Sequence, residues 1–100
     1  MGEDIHILNS EEITEKLKEI PGWEFKDDKI SKEFKFKYFL DVLDFIMKLA
    51  PICEEKDHHP NIHIFYNRIL FELNRFDVGG KVTNADFEIA KEIERLYSGR

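Results

Sequence analysis

Apolar and polar residues recur along this chain with two alternating periods, one helical and one of two residues, and the switches between them mark out its elements. A first helix is predicted from about Ser10 to Glu19, because Ile13, Leu17 and Ile20 fall at i, i+4 and i+7 among Glu and Lys. Asn9, followed three residues later by Glu12, forms a capping-box pattern at its start, and Pro21-Gly22 stops it. In "WEFKDDKISKEFKFK" the period becomes two: Ile30, Phe34 and Phe36 share one face, while Ser31, Glu33, Lys35 and Lys37 share the other. This is a hairpin pattern, with Asp27-Asp28 at the turn.

From about Tyr38 to Glu55 the helical period returns, with Phe39, Val42, Leu43, Ile46, Leu49, Ala50 and Cys53 on one stripe. Leu40, Phe45, Met47 and Ile52 widen that stripe until only Asp41, Asp44, Lys48 and Glu55 mark a wet side. One small sheet does not cover so much apolar surface, so a second packing partner is expected, namely another copy of the chain. Burial beneath the other two helices is the alternative. Pro51 removes a backbone donor and crowds the preceding turn, which predicts a kink or an early end near Ala50.

"NIHIFYNRILFELNRF" contains two alternations that meet at Asn67-Arg68. A two-residue loop there sets Tyr66 opposite Ile69, Ile64 opposite Phe71 and Ile62 opposite Leu73, with all three pairs on one apolar face. Continued outward, the same register sets His59 opposite Phe76. Gly79-Gly80 then turns the chain, and Thr83 with Asp86 opens a last helix whose stripe is Ile89, Ala90, Ile93, Leu96 and Tyr97. The predicted class is α+β, a single domain over residues 1–100 in the order α-β-β-α-β-β-α, with an antiparallel sheet covered by helices on one face.

Composition narrows the function. The chain has 100 residues, 42% of them hydrophobic, with nine Phe, enough for one modest core. Its 15 basic and 21 acidic residues give a charge of -6, which disfavours a phosphate backbone as a direct partner. The lone Cys53 has no intramolecular disulfide partner, and "MGEDIHILNS" has neither the basic stretch nor the apolar core of a secretion signal. No apolar run approaches the ~20 residues of a membrane span. A cytoplasmic, membrane-free protein is expected.

Candidate chemistry concentrates in "EEKDHHPNIHIFY". Glu54, Glu55, Asp57, His58, His59 and His63 are all metal-ligand types, yet Pro60 and the alternation that follows put His59 and His63 on extended chain, roughly 13 Å apart. No metal is expected, and His63 is read as a surface residue beside Glu72. His58 and His59 sit where a strand end meets the end of the long helix, a plausible pocket. Imidazole suits acid–base work there, because its ordinary pKa near ~6.5 lets it give and accept a proton. Cys53, on an apolar helix face, is a poor nucleophile.

Gly22-Trp23, the Phe-rich "FKFKYFLDVLDFIMKLA", Glu54 ahead of His58-His59-Pro60, "YNRI", "DVGG" and "TNAD" follow one another over nearly the whole chain. In this order they resemble the pterin-4a-carbinolamine dehydratase family, also called 4a-hydroxytetrahydrobiopterin dehydratase. The resemblance implies a four-stranded antiparallel sheet with three helices on one face. It also implies dehydration of a 4a-hydroxytetrahydropterin to quinonoid dihydropterin, recycling the pterin of aromatic amino acid hydroxylases with no cofactor. Carried over by position, His58 and His59 are the catalytic pair, His59 the main acid–base group, and Glu54, Pro60, Phe76 and Asp77 contact substrate. The family has a third histidine where this chain has Phe76, so weakened turnover is expected, and the turn after Gly80 is one residue longer. The resemblance further implies a homo-oligomer, dimer or tetramer, through the long helix and the sheet. A non-catalytic binding or dimerisation-cofactor role on the same scaffold is the alternative it allows.

Overall fold

The computed structural model describes residues 5–100; residues 1–4, part of the stretch read above for a secretion signal, lie outside it. In chain order the elements are α1 (Ser10–Leu17), β1 (Glu24–Lys26), β2 (Lys29–Lys35), α2 (Phe39–Lys56), β3 (Asn61–Phe65), β4 (Arg68–Leu73) and α3 (Asn84–Ser98). The strands form one antiparallel sheet in the order β1-β2-β4-β3, as expected for the α+β class.

Local chemistry explains most boundaries. Asn9 Oδ1 accepts from the Glu12 N–H and Glu12 Oε1 accepts from the Asn9 N–H, each at 2.9 Å, so both exposed donors at the start of α1 are satisfied. The helix ends at Leu17, two residues early, and tight turns to Glu19 and Ile20 bring the Ile20 side chain into the core. Asp27 and Asp28 have φ of 54° and 59°, the left-handed pair that a two-residue hairpin turn uses and that Asp tolerates.

The inner sheet face supplies Ile30, Phe34, Ile69, Phe71 and Leu73, all buried against Val42, Phe45 and Leu49 of α2 and Ile89, Ala90 and Ile93 of α3. Phe34 is the hub, its ring centroid 4.8 Å from Tyr97, 5.8 Å from Phe71 and 6.1 Å from Trp23. Each such buried ring contributes roughly 1.5–3 kcal/mol, so this cluster outweighs any single turn or cap.

Three expectations are corrected. The α2 helix runs unbroken through Pro51 to Lys56 instead of ending near Ala50. Pro51 is exposed, and the carbonyl it leaves free, that of Met47, lies on the same wet side where water can take it. The buried stripe of α2 is Val42, Phe45, Leu49 and Cys53, whereas Phe39, Leu40, Leu43, Met47 and Ala50 are exposed. Phe45 turns inward because its ring meets Phe36 at 5.2 Å and Phe71 at 6.1 Å.

The third correction is to the second hairpin. Its loop is Tyr66-Asn67, not Asn67-Arg68, and the pairs are Ile62 with Phe71, Ile64 with Ile69 and Phe65 with Arg68. Moving the turn by one residue moves the pairing by two, so Ile62 and Ile64 keep their expected face while Tyr66 leaves the strand for the loop. Arg68 belongs to the strand because it bonds Glu33 at 2.8 Å and lies 5.3 Å from the Phe65 ring centroid. Tyr66 is thereby left at φ 55°, a left-handed conformation that costs an ordinary residue roughly 1–2 kcal/mol.

Gly22 shows why a glycine precedes Trp23. Its φ is 94°, and an added Cβ would lie 2.9 Å from Lys32 Cε. Lys32 has little freedom to yield, because its Nζ donates to Pro21 O at 3.0 Å and to Glu94 Oε2 at 2.7 Å. That Glu94 oxygen also accepts from Trp23 Nε1 at 2.9 Å. Gly22→Ala is expected to lower the unfolding free energy in denaturant by roughly 1–2 kcal/mol; an unchanged midpoint and slope would show that neither the backbone nor Lys32 is constrained.

Candidate active site

The site is built at the end of α2. Asp57 caps the helix at φ 51° and ψ 44°, and the His58 N–H returns to Cys53 O at 3.1 Å. This left-handed reversal turns two successive histidines to different surroundings. His58 is 7% exposed and its Nε2 is 2.5 Å from Asp86 Oδ1. His59 is exposed, and its Nε2 is bonded to Glu54 Oε2, from the last turns of the same helix.

Asp86 is fully buried and does two jobs with its two oxygens. Oδ2 accepts from the Thr83 N–H at 2.7 Å and from Thr83 Oγ1 at 3.2 Å, which closes the start of α3, while Oδ1 holds His58. Sequence reasoning reads Asp86 only as a helix cap. The available signal is its length: a capping box normally uses Glu or Gln at this position, and the shorter Asp keeps a carboxylate oxygen near the helix start for a second partner.

His63 is on the outer sheet face, where its Nε2 is 2.9 Å from Glu72 Oε1; Lys29 Nζ approaches the other oxygen of Glu72 at 3.3 Å. The three histidines of the segment thus take three different carboxylates: Asp86, Glu54 and Glu72. The hydrogen bond from His63 holds the Glu72 carboxyl below the usual carboxylate range, with help from Lys29 and against partial burial. Burial, with the nearby Glu54 charge, pushes the Cys53 thiol up to about 11, in keeping with a poor nucleophile.

The other candidate residues differ in exposure and in partners. Pro60 is half-buried and leads into β3. Phe76 opens a short 3₁₀ turn, Phe76–Val78, and is 93% exposed; Asp77 in that turn accepts from Arg75 Nε at 3.0 Å. The observed strand register, continued past Leu73, sets Asn74 across from His59, so the facing of His59 and Phe76 expected from the sequence is not realised. With Glu54 and His59 both exposed, the corner stands open. A cavity of about 400 Å³ lies elsewhere, between the first turns of α2 and the end of α3, lined by Phe36, Asp44, Lys48 and Arg95 among others. It shares no residue with the histidine corner, and acid–base chemistry points to the corner.

Fold and site together define an α+β protein with an imidazole–carboxylate corner where its long helix meets an edge strand. Comparison with known proteins makes this specific. The family model described as Pterin 4 alpha carbinolamine dehydratase matches residues 6–96. A Sulfolobus acidocaldarius protein provisionally named as a pterin-4-alpha-carbinolamine dehydratase is 44% identical over 89 residues, 89% of this chain and 97% of its own. A Prochlorococcus marinus protein with the same provisional name is 40% identical over 92 residues, 92% of this chain and 95% of its own. Among solved structures, the transcriptional coactivator/pterin dehydratase from Brucella Melitensis superposes with a TM-score of 0.86 at 30% identity, covering 91% of this chain and 98% of its own. A pterin dehydratase-like protein described as a RuBisCO assembly factor in the alpha-carboxysome shares the fold, with a TM-score of 0.59 at 24% identity over 74% of this chain and 84% of its own. The chain belongs to the pterin 4 alpha carbinolamine dehydratase family.

Two outcomes follow from the site's hydrogen bonds. Asp86→Ala leaves His58 and both Thr83 donors without their buried partner and is expected to lower the unfolding free energy by roughly 2–4 kcal/mol; a loss below ~1 kcal/mol would mean that water replaces the carboxylate. Glu72, depressed in the folded state, stabilises the fold above its unfolded value near ~4.3 and loses that contribution as the pH falls through its folded value. The stability gap between the wild type and Glu72→Gln is therefore expected to shrink from pH 5 to pH 3 in denaturant titrations. A gap that widens would contradict the sign.

Proposed function

We propose that this chain catalyses loss of water from a 4a-hydroxytetrahydropterin, giving quinonoid dihydropterin, with His59 moving the proton. The observation that carries this is the pairing of an exposed His59 with Glu54 beside a buried His58 held by Asp86, in a chain of this family. In the reaction the C4a–O bond breaks as the hydroxyl takes a proton and leaves as water. The adjacent ring nitrogen loses its proton and its electron pair closes the new C=N bond. An imidazole that first gives and then takes a proton supplies both transfers, and a carboxylate on its other side steadies the charged form. His58, the other member of the proposed pair, fixes the loop through Asp86 so that His59 faces outward.

Pro60 stiffens the chain behind the pair, and Asp77 borders the opening on the side of the 3₁₀ turn. Phe76 offers a ring that can stack on a flat pterin but transfers no proton, so turnover is slower than with a histidine there. No metal or other cofactor is needed for proton transfer alone. A cytoplasmic setting fits the one free thiol, Cys53, and a charge of -6 gives little footing for nucleic acid. Among the described residues no helix is long and apolar enough to cross a membrane.

We also propose self-association. Phe39, Leu40 and Met47 on α2 and Ile62, Ile64, Phe65 and Tyr66 on the last hairpin are large apolar residues left exposed in one copy. This same surface, together with Phe76, favours the second reading, a non-catalytic binding or dimerisation-cofactor protein.

The two readings separate in an assay of quinonoid dihydropterin formation from the 4a-carbinolamine. His59→Ala is expected to lower kcat by roughly 10²–10⁴-fold, and Phe76→His to raise it. Turnover that is indifferent to His59→Ala would sink the assigned mechanism. An inactive wild type that Phe76→His revives would favour the non-catalytic reading.

A further inference from the structure

The cavity between α2 and α3 lies apart from the histidine corner. The two helices run antiparallel over the sheet: His58, just after α2, bonds Asp86 in the first turn of α3, while Phe45 near the start of α2 packs on Tyr97 near the end of α3, ring centroids 6.2 Å apart. The cavity of about 400 Å³ opens at the second of these ends. Asp44 on its wall is ten residues from Glu54, roughly 15 Å along the helix, so a small molecule held here does not reach His59.

The buried rings of Phe36 and Phe45, with half-buried Leu96, give the cavity an apolar lining. Charges of both signs stand around it, and most of them are engaged. Asp41 Oδ2 accepts from the Tyr38 N–H at 3.2 Å. The Arg100 guanidinium is drawn onto two rings, 4.1 Å from the Tyr97 centroid and 4.7 Å from that of Phe36. Arg95 donates from Nε and Nη2 to Glu92 Oε1, at 2.9 and 2.6 Å, which leaves Nη1. Asp44 and Lys48 remain. They lie four residues apart on one helix, the spacing at which opposite charges commonly pair, yet no ion pair joins them or ties either to another described residue.

This pattern selects among ligands. A simple anion meets Asp41 and Asp44, and a polyamine meets Lys48, Arg95 and Arg100, so each is repelled by part of the wall. A molecule with one charge of each sign on neighbouring atoms and a short apolar body opposes neither. Its size agrees, because 400 Å³ is near the lower end for small-molecule pockets, roughly 300–1,000 Å³. The antiparallel helices also align the cations. With residue 58 beside 86 and residue 45 beside 97, residue 95 falls beside residues 47–49, so Arg95 stands at the level of Lys48.

We propose that this cavity binds a zwitterionic α-amino acid with an aliphatic side chain. Asp44 takes its ammonium, Lys48 and Arg95 Nη1 take its carboxylate, and its side chain lies on Phe36 and Leu96.

Titration of the ¹⁵N-labelled chain with L-leucine, followed through backbone amide shifts, tests the site. Saturable shifts are expected in the first turns of α2 and the last turn of α3. 4-Methylpentanoate, which lacks the ammonium, and 3-methylbutylamine, which lacks the carboxylate, are each expected to bind roughly tenfold more weakly or worse. L-leucine is expected to lose a similar factor on Asp44→Asn and on Lys48→Gln. Both side chains are exposed, so both variants are expected to keep the wild-type unfolding temperature. No saturable shift with L-leucine, or shifts centred on His58 and His59, would overturn the site. Equal binding of 4-methylpentanoate would overturn the zwitterion, and L-leucine binding that both substitutions leave unchanged would overturn the assigned partners.

Discussion

The hydrogen bond between His58 and Asp86 is the constraint on which the rest of the site depends. It joins the end of α2 to the start of α3 through groups that are almost wholly removed from water. A buried carboxylate is tolerated only when its oxygens are satisfied, and Asp86 meets this condition with Thr83 on one side and His58 on the other. Because neighbouring residues of a nearly extended chain face opposite ways, fixing His58 inward turns His59 outward to Glu54. Asp86 thus closes the start of a helix with one oxygen and seats the histidine loop with the other.

Much of this was legible in the sequence where the signal was local. Asn9 with Glu12, Thr83 with Asp86, and the Asp27-Asp28 turn each involve residues within three positions, and each forms as the pattern implies. The faces of the last hairpin were legible too, because period-two alternation survives a displaced turn. The turn itself was not: Tyr66 occupies a left-handed position that its residue type resists, and Arg68 is drawn into the strand by Glu33, thirty-five residues away in sequence. The buried stripe of α2 escaped for a related reason. Two apolar stripes overlap on that helix, and only contact with Phe36 and Phe71 chooses the one containing Phe45. The second role of Asp86 is likewise tertiary, since its partner lies twenty-eight residues back.

Fold alone does not decide between catalysis and binding, as relatives described both as pterin dehydratase and as coactivator or assembly factor illustrate. What this chain adds is the state of its corner. Its two adjacent histidines each hold a carboxylate, His58 with Asp86 and His59 with Glu54, while Phe76 stands exposed. The β3 edge, free of Lys, Arg, Asp and Glu, and the apolar outer face of α2 leave the molecule with exposed apolar surface.

The division of labour between the two histidines is the central claim, and ring-nitrogen NMR of ¹⁵N-histidine-labelled protein tests it most directly. With biopterin added in steps, the His59 ring signals are expected to shift progressively. The His58 ring proton is expected to exchange slowly with water throughout and to become labile only when Asp86 is replaced. Ligand-induced shifts confined to His58, with its ring proton exchanging as fast as that of His59, would contradict the account.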